Sequence, residues 1–260
     1  MKNPPWVDTA FSHLEVPLRI EDARRSRGAA PGDIVCGLID ILRATSTIVA
    51  ALSNGCLAVH PRPSPGAALD TATALRQEHG EANVLLGGEQ DAKPIPGFDG
   101  GNSPLEYTRD RIGGRRLVLS TSNGTKTLAA AGECGRVYIA AFANLEAVAQ
   151  RIAEEAERQE SPAILIACSG REGGYCEEDA AAAGLIVAKV RRHLGKIELS
   201  DSSRAAVHTA EYAVRDVAEM LRNCTWGKHL ASLGLGPDIE FCAKRDWTKV
   251  VPEMKGGVIG

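Results

Sequence analysis

The sequence predicts a layered α/β fold around a mainly parallel or mixed sheet. Two observations carry this. Short apolar runs alternate with amphipathic or alanine-rich stretches along nearly the whole chain, the pattern of strands alternating with helices. The run Asp33–Asp40 (DIVCGLID) is apolar on both alternating sides, as a strand buried on both faces must be. A third observation bears on organisation: no period repeats and no linker stands out. Residues 1–260 therefore read as one domain, with a helix-rich part from about Ser200 packed on it.

The elements follow in order. His13 to Ile20 alternates apolar and polar residues, which predicts a strand, and Pro17 assigns it to an edge. After the Asp33–Asp40 strand, Ala44 to Asn54 reads as a helix stopped by Gly55, and Cys56 to His60 as a strand. Ser64-Pro65 supplies an N-cap and a first-turn proline for a helix ending near Gly80. Asn83 to Leu86 is a strand entering a long loop, Gly87–Asn102, and Ser103–Glu106 has capping-box spacing for another helix. Arg116–Ser120 and Val137–Ala140 are strands separated by a helix, Gly124–Ala131. Asn144–Gln159 places Leu145, Val148, Ala149, Ile152 and Ala156 on one helical face. Ala163–Cys168 is a strand, Glu177–Leu194 a helix and Asp201–Arg222 a long helix. Ile239–Cys242 and Lys249–Val251 are the last predicted strands.

Composition excludes several classes. With 260 residues, 44% hydrophobic and 24% charged, the chain can bury a core without staples. A net charge of −3 and only 4% aromatic residues give no reason to bind nucleic acid or an anionic membrane. The seven cysteines are odd in number and contain no Cys-x-x-Cys pair, which speaks against a disulfide framework and a structural zinc site. The first twenty residues lack a signal-type apolar core, and no run approaches a membrane span, so the expected location is cytoplasmic. The six histidines have no ligand spacing.

Three strand-to-helix junctions carry unusual polar sequences: Asp40–Thr45, Ser120–Lys126 and Cys168–Gly174. In an open α/β sheet, the carboxyl ends of parallel strands form the ligand edge, and helix N-termini there suit oxyanions. Arg43, Lys126 and Arg171, one per junction, would surround an anionic ligand. Asp40 ends the most buried strand, an expensive place for an unpaired charge, and its bland role is a charge neutralised by Arg43. Glu89, Glu178, Asp179 and Asp201 add further carboxylates. Glu177, Glu178 and Asp179 also fall in a helix first turn, where acids complement the macrodipole without any function. Ser122-Asn123-Gly124 can equally be a plain turn and cap. Asn123–Thr127 lacks the upstream glycine of a P-loop. Cys168 and Cys176 flank the third junction without a partner base.

Taken together, these segments resemble the Mg²⁺-dependent 2-phosphosulfolactate phosphatases of coenzyme M biosynthesis. The resemblance rests on Asp40–Ile48 (DILRATSTI), Gly87-Gly88-Glu89, Gly97–Tyr107 (GFDGGNSPLEY), Ser120–Lys126 (STSNGTK), Gly170–Gly173 (GREG) and Glu178-Asp179 with Gly184. Leu199–Asp201 and Asp238–Cys242 (DIEFC) extend it, so matches run from about residue 35 to 252. The resemblance implies a three-layer phosphomonoesterase, with polar site residues at Asp40, Arg43, Glu89, Asn102, Asn123, Thr125, Arg171, Glu178 and Asp179. Cys176-Glu177-Glu178-Asp179 stands where the family commonly has Ser-Leu-Glu-Asp. Ala182 replaces a cysteine often found early in that helix, and Gln90–Lys93 departs from a basic, glycine-containing stretch.

The expected function is hydrolysis of 2-phosphosulfolactate, or a close phosphorylated small acid, to sulfolactate and phosphate. Mg²⁺ would be held by Asp40 with Glu178 or Asp179, with Arg43 the fourth catalytic residue. Asn102, Ser122, Asn123, Gly124, Thr125, Lys126, Arg171 and Glu89 would bind substrate. Attack by water and attack by a carboxylate are both open. The rivals are a phosphatase of the same fold with another small phosphorylated acid, and a non-catalytic anion-binding protein. A homo-oligomer is compatible with the sequence.

Overall fold

The alternation of strand and helix becomes one continuous sheet in a computed structural model that describes residues 3–260. The first half of the chain forms β1 (Trp6–Ala10), α1 (Val16–Arg27), β2 (Ile34–Ile39), α2 (Ala44–Ser53), β3 (Ala58–Pro61), α3 (Pro65–His79), β4 (Val84–Gln90), β5 (Lys93–Pro94), α4 (Arg109–Ile112), β6 (Arg116–Ser120) and α5 (Gly124–Ala130). The second half forms β7 (Arg136–Ala140), α6 (Leu145–Glu157), β8 (Ala163–Cys168), α7 (Glu177–Leu194), β9 (Glu198–Leu199), α8 (Asp201–Ala213), α9 (Val217–Asn223), α10 (Thr225–Ser232), α11 (Gly236–Cys242), β10 (Glu253–Lys255) and β11 (Val258–Ile259).

Every residue of β2 and of β8 is buried, because each has neighbouring strands on both edges and helices over the sheet. On β7, β2 and β8 lies α6, whose buried Leu145, Val148, Ala149, Ile152 and Ala156 form the predicted apolar face. Truncating a side chain such as Ile152 to alanine there costs about 2–5 kcal/mol. Helices α6, α7 and α8 pack on one another, and α1 and α5 cover the sheet from the other side. Gly184 sets the α7–α8 spacing: a Cβ there would lie 2.0 Å from the Ala206 carbonyl oxygen. Ser64 caps α3 by accepting from Ala67 N–H, as its position before Pro65 predicts.

The strand order is β5-β4-β6-β3-β11-β10-β7-β2-β8-β1-β9. Two parallel blocks, β4-β6-β3 and β7-β2-β8-β1-β9, are joined by the antiparallel hairpin β10-β11. Its flanks pair antiparallel with β7 and β3, so strand direction reverses between the blocks. Twist offsets this reversal. At roughly 20–25° per step, the five steps from β6 to β2 accumulate roughly 100–125°. The carboxyl ends of the two blocks meet in space: Thr127 beyond β6 bonds to Ser169 beyond β8, and Gly124 packs against Ala44 and Asp40 beyond β2.

Several predicted elements are corrected. His13–Ile20 is not a strand: α1 begins at Val16, with Pro17 in its first turn. Val16, Ile20 and Ala23 are buried while Leu14 and Leu18 are exposed, a helical spacing that mimics alternation over eight residues. Ahead of it β1, unpredicted, pairs with β8 and β9. Ile239–Cys242 is the end of helix α11, which Pro237 opens. Lys249–Val251 is unpaired, and the last strands follow it across a Gly256-Gly257 turn with positive φ at both residues. Asp201–Arg222 is two helices, because Asp216 caps a new start at α9 through Glu219 N–H. Ser103–Glu106 opens only a 3-10 turn, Pro104–Glu106. The Gly87–Asn102 loop begins as strand, with β4 reaching Gln90 and β5 returning beside it. All seven cysteines are free thiols.

Candidate functional site

A cavity of about 210 Å³ opens where the two blocks meet. Its walls come from the carboxyl ends of four strands: Asp40, Leu42 and Arg43 after β2, Glu89 and Asp91 at β4, Thr121–Asn123 and Lys126 after β6, and Arg171-Glu172 after β8. Asn102 and Trp226 of α10 complete it.

Asp40 is the buried acid of the wall. Its carboxylate accepts from Ala44 N–H at 3.2 Å, so the positive end of α2 meets its own strand's acid. The backbone carbonyl and N–H of Asp40 both bond Thr45 Oγ1, which locks the turn. Burial, with added repulsion from Glu89 and Glu178, pushes the Asp40 carboxyl up to about 7. Gly124 makes the approach of the two loops possible. A Cβ there would lie 2.7 Å from Ala44 Cβ and 3.0 Å from Asp40 Oδ2.

The other acids have different surroundings. Glu89 accepts from Ala92 N–H and Ser122 N–H, each at 2.8 Å, and so ties β4's turn to the loop after β6. Asp179 lies behind the wall, accepting from Ile41 N–H and Gly170 N–H at 2.9 and 3.0 Å. It joins the loops after β2 and β8, and its carboxyl is raised by burial, then by Asp40 and Glu178. Glu178 faces a neighbouring cavity of about 560 Å³ that shares Arg171, Glu172 and Trp226 with the first. Burial raises its carboxyl against hydrogen bonds from the Cys224 and Cys176 thiols.

Of the three junction cations, Arg43 is buried and engaged. It donates to Asp238 Oδ2 at 2.6 Å and to the Ala92 carbonyl at 3.0 Å, and Asp238 Oδ1 accepts from Ser103 Oγ. The neutralising partner of Arg43 is thus Asp238, not Asp40. Arg171 is partly exposed, with its guanidinium 4.0 Å above the Trp226 ring. Its ion-pair contact is a long one, 3.9 Å to Glu172. Lys126 is exposed and makes no ion pair among the described residues. Two buried polar atoms of the wall, Asn102 Oδ1 and Thr121 Oγ1, have no hydrogen-bond partner. The Thr121 hydroxyl can therefore donate to a ligand in the cavity, and the Asn102 carbonyl oxygen can accept.

The structure thus brings Asp40, Arg43, Glu89, Asn102, Ser122, Asn123, Lys126 and Arg171 to one cavity. Gly124 packs behind it, and Thr125 turns its hydroxyl to the Thr121 carbonyl. Asp201 lies away from it, exposed at the start of α8 beside Arg204. Thr121, Asp91, Trp226 and Asp238 escaped the residue-by-residue reading. Only Asp238 had a signal, its place in the DIEFC segment, and the strand expected there concealed its inward direction. The thiols are poor nucleophiles: burial raises Cys168 and Cys176 above the ordinary thiol range.

Among the described residues, no three His, Cys, Asp or Glu side chains form a metal cage. Mg²⁺ needs no such cage, since it keeps waters and takes one or two carboxylates plus substrate oxygens. Asp40 fits that demand: it is an oxygen donor in a site with excess buried negative charge, and its ordinary counter-ion is engaged elsewhere. Asp179 fits poorly, with both oxygens on backbone N–H groups.

Residues 22–257 match a family model described as 2-phosphosulpholactate phosphatase. A probable 2-phosphosulfolactate phosphatase of Thermotoga petrophila is 37% identical over 221 residues, covering 85% of this chain and 89% of the relative. Proteins with the same description from Clostridium tetani and Clostridium acetobutylicum are 35% and 34% identical, over 85% of this chain and 90% of each relative. No helix among the described residues is long and apolar enough to cross a membrane.

Proposed function

This chain belongs to the 2-phosphosulfolactate phosphatase family, and from that premise we propose that it hydrolyses 2-phosphosulfolactate to sulfolactate and phosphate with Mg²⁺ bound. The observation that carries the reading is the cavity itself, where Lys126 and Arg171, neither hydrogen-bonded to an acid, face the same space as Asp40 and the Thr121 hydroxyl. Phosphoryl and sulfonate groups on one ligand would pair with the two cations, and the Thr121 hydroxyl can donate to either.

Asp40, with Glu178 as the second carboxylate, would hold Mg²⁺. When bound, the ion polarises the phosphoryl group and activates water. Lys126 and Arg43 meet the phosphoryl oxygens and stabilise charge as it develops. The Asp238 and Ala92 partners hold Arg43 rigid, so no reorganisation accompanies that charge. Arg171, on the opposite wall, takes the sulfonate. Glu89 keeps Ser122 and the loop after β6 in place.

Phosphate release from 2-phosphosulfolactate, with Mg²⁺ and with chelator, tests the reading. Release only with Mg²⁺, and faster than from other small phosphorylated acids, is the expected result. A faster rate on another acid moves the substrate, equal rates in chelator remove the metal, and binding without release returns the non-catalytic reading.

A further inference from the structure

The ion-pair partner of Arg171 is Glu172, at 3.9 Å and beyond hydrogen-bond reach, so something else must fix the direction of its guanidinium. The contact on its face is Trp226. Trp226 and His229 are three residues apart on α10 and therefore share one side of that helix. Their rings stack, with centroids 4.5 Å apart and planes 20° apart, and Arg171 lies over the indole at 4.0 Å. His229 Nε2 stands 3.6 Å from Asp91 Oδ1 at the tip of the β4-β5 turn. The four residues form a column from the loop after β8, through the C-terminal helices, to the opposite rim.

The geometry points to Trp226 as a positioning residue that selects substrates carrying a sulfonate beside their phosphoryl and carboxyl groups. Stacking occupies the face of the guanidinium and leaves its edge N–H groups unused. An acid pairing with Arg171 would occupy those same edges, and bidentate pairing of the planar guanidinium with two sulfonate oxygens requires them free. Trp226 thus orients Arg171 without competing with the ligand. The inference rests on the proposed function, in which Arg171 takes the sulfonate.

The test compares 2-phosphosulfolactate with 2-phospholactate, which lacks only the sulfonate, in wild type, Trp226→Phe and Trp226→Leu. Wild type must first release phosphate from the sulfonated substrate; failure there overturns the proposed function and not the stacking. Trp226→Leu is expected to raise KM for the sulfonated substrate about 3- to 30-fold, the range a cation–π contact supplies. Its kcat should change far less, and the KM advantage of the sulfonate should collapse. Trp226→Phe, which keeps a flat π face, should recover most of that advantage. Equal recovery by leucine and phenylalanine would reduce Trp226 to a space-filling wall, and an unchanged KM ratio in both variants would overturn its role.

Discussion

The loops after β2 and β8 each carry an arginine to the same cavity, and they hold it by opposite means. Arg43 is buried, with one amino group on Asp238 and the other on a carbonyl. Arg171 is partly exposed and held on its face by an indole. A buried guanidinium must have its donors satisfied even without ligand, because an unpaired buried charge costs several kcal/mol. A half-exposed one can leave its edges to water and exchange them for an incoming oxyanion. The first arrangement suits a rigid electrostatic element beside the reacting group, and the second suits recognition.

The largest effect falls on the acid that shares Arg43's loop. Asp40→Asn should lower kcat by about 10²–10³-fold or more, the scale on which loss of a single transition-state stabiliser is felt, with the fold retained. The same variant has a second signature in chelator. The carboxyl titrates near 7 when folded and near 3.8 when free, so between those values the folded state holds a proton that the unfolded chain has released. Stability of the parent therefore falls as pH rises from about 4 to about 7. Asn removes that slope, and thermal unfolding across pH 4–8 shows the two curves diverging, with the variant higher at pH 8. Parallel curves would place the Asp40 carboxyl in an ordinary environment.

The arginines themselves come next. Arg43→Lys cannot reach Asp238 and the Ala92 carbonyl together, so it should lose about 1–3 kcal/mol of stability and lower kcat. Arg171→Lys should leave stability within about 0.5 kcal/mol and raise KM for the sulfonated substrate. Steady-state kinetics beside unfolding curves separate the two. Identical profiles would erase the contrast, and an Arg171→Lys variant equally impaired on 2-phospholactate would remove the sulfonate assignment.

The smallest effect should come from Cys168→Ala, within about threefold in kcat. Its thiol is fully buried at the end of β8 and its ionisation is suppressed. Ala182, early in α7, is also buried and offers no thiol. Loss of turnover in a folded Cys168→Ala protein would restore a thiol mechanism.

Local chemistry made much of the molecule legible. A short apolar run between turn signals reads as a doubly covered strand, as in β2 and β8, and Ser64-Pro65 supplies the cap and first-turn proline of α3. The polar junctions identified the ligand edge because strand ends are where buried backbone gives way to loops. Short segments were misread where two periods coincide. Val16 and Ile20 satisfy a strand and a helix equally until the burial of Ala23 and exposure of Leu18 separate them. Trp226 and Asp91 are invisible for another reason. They reach the cavity from α10 and a hairpin tip, and what aims them there is the packing of those elements, not any local spacing. Sequence by itself determined which residues are charged, which strands are buried and where the chain turns. Only the tertiary structure decided that Arg43 answers to Asp238 rather than Asp40, and that Asp179 ties loops instead of facing the cavity. It also decided that a reversing hairpin and accumulated twist bring two carboxyl edges to one site. Pairing partners far apart in sequence are selected by the packed sheet as a whole, and no window of residues contains that information.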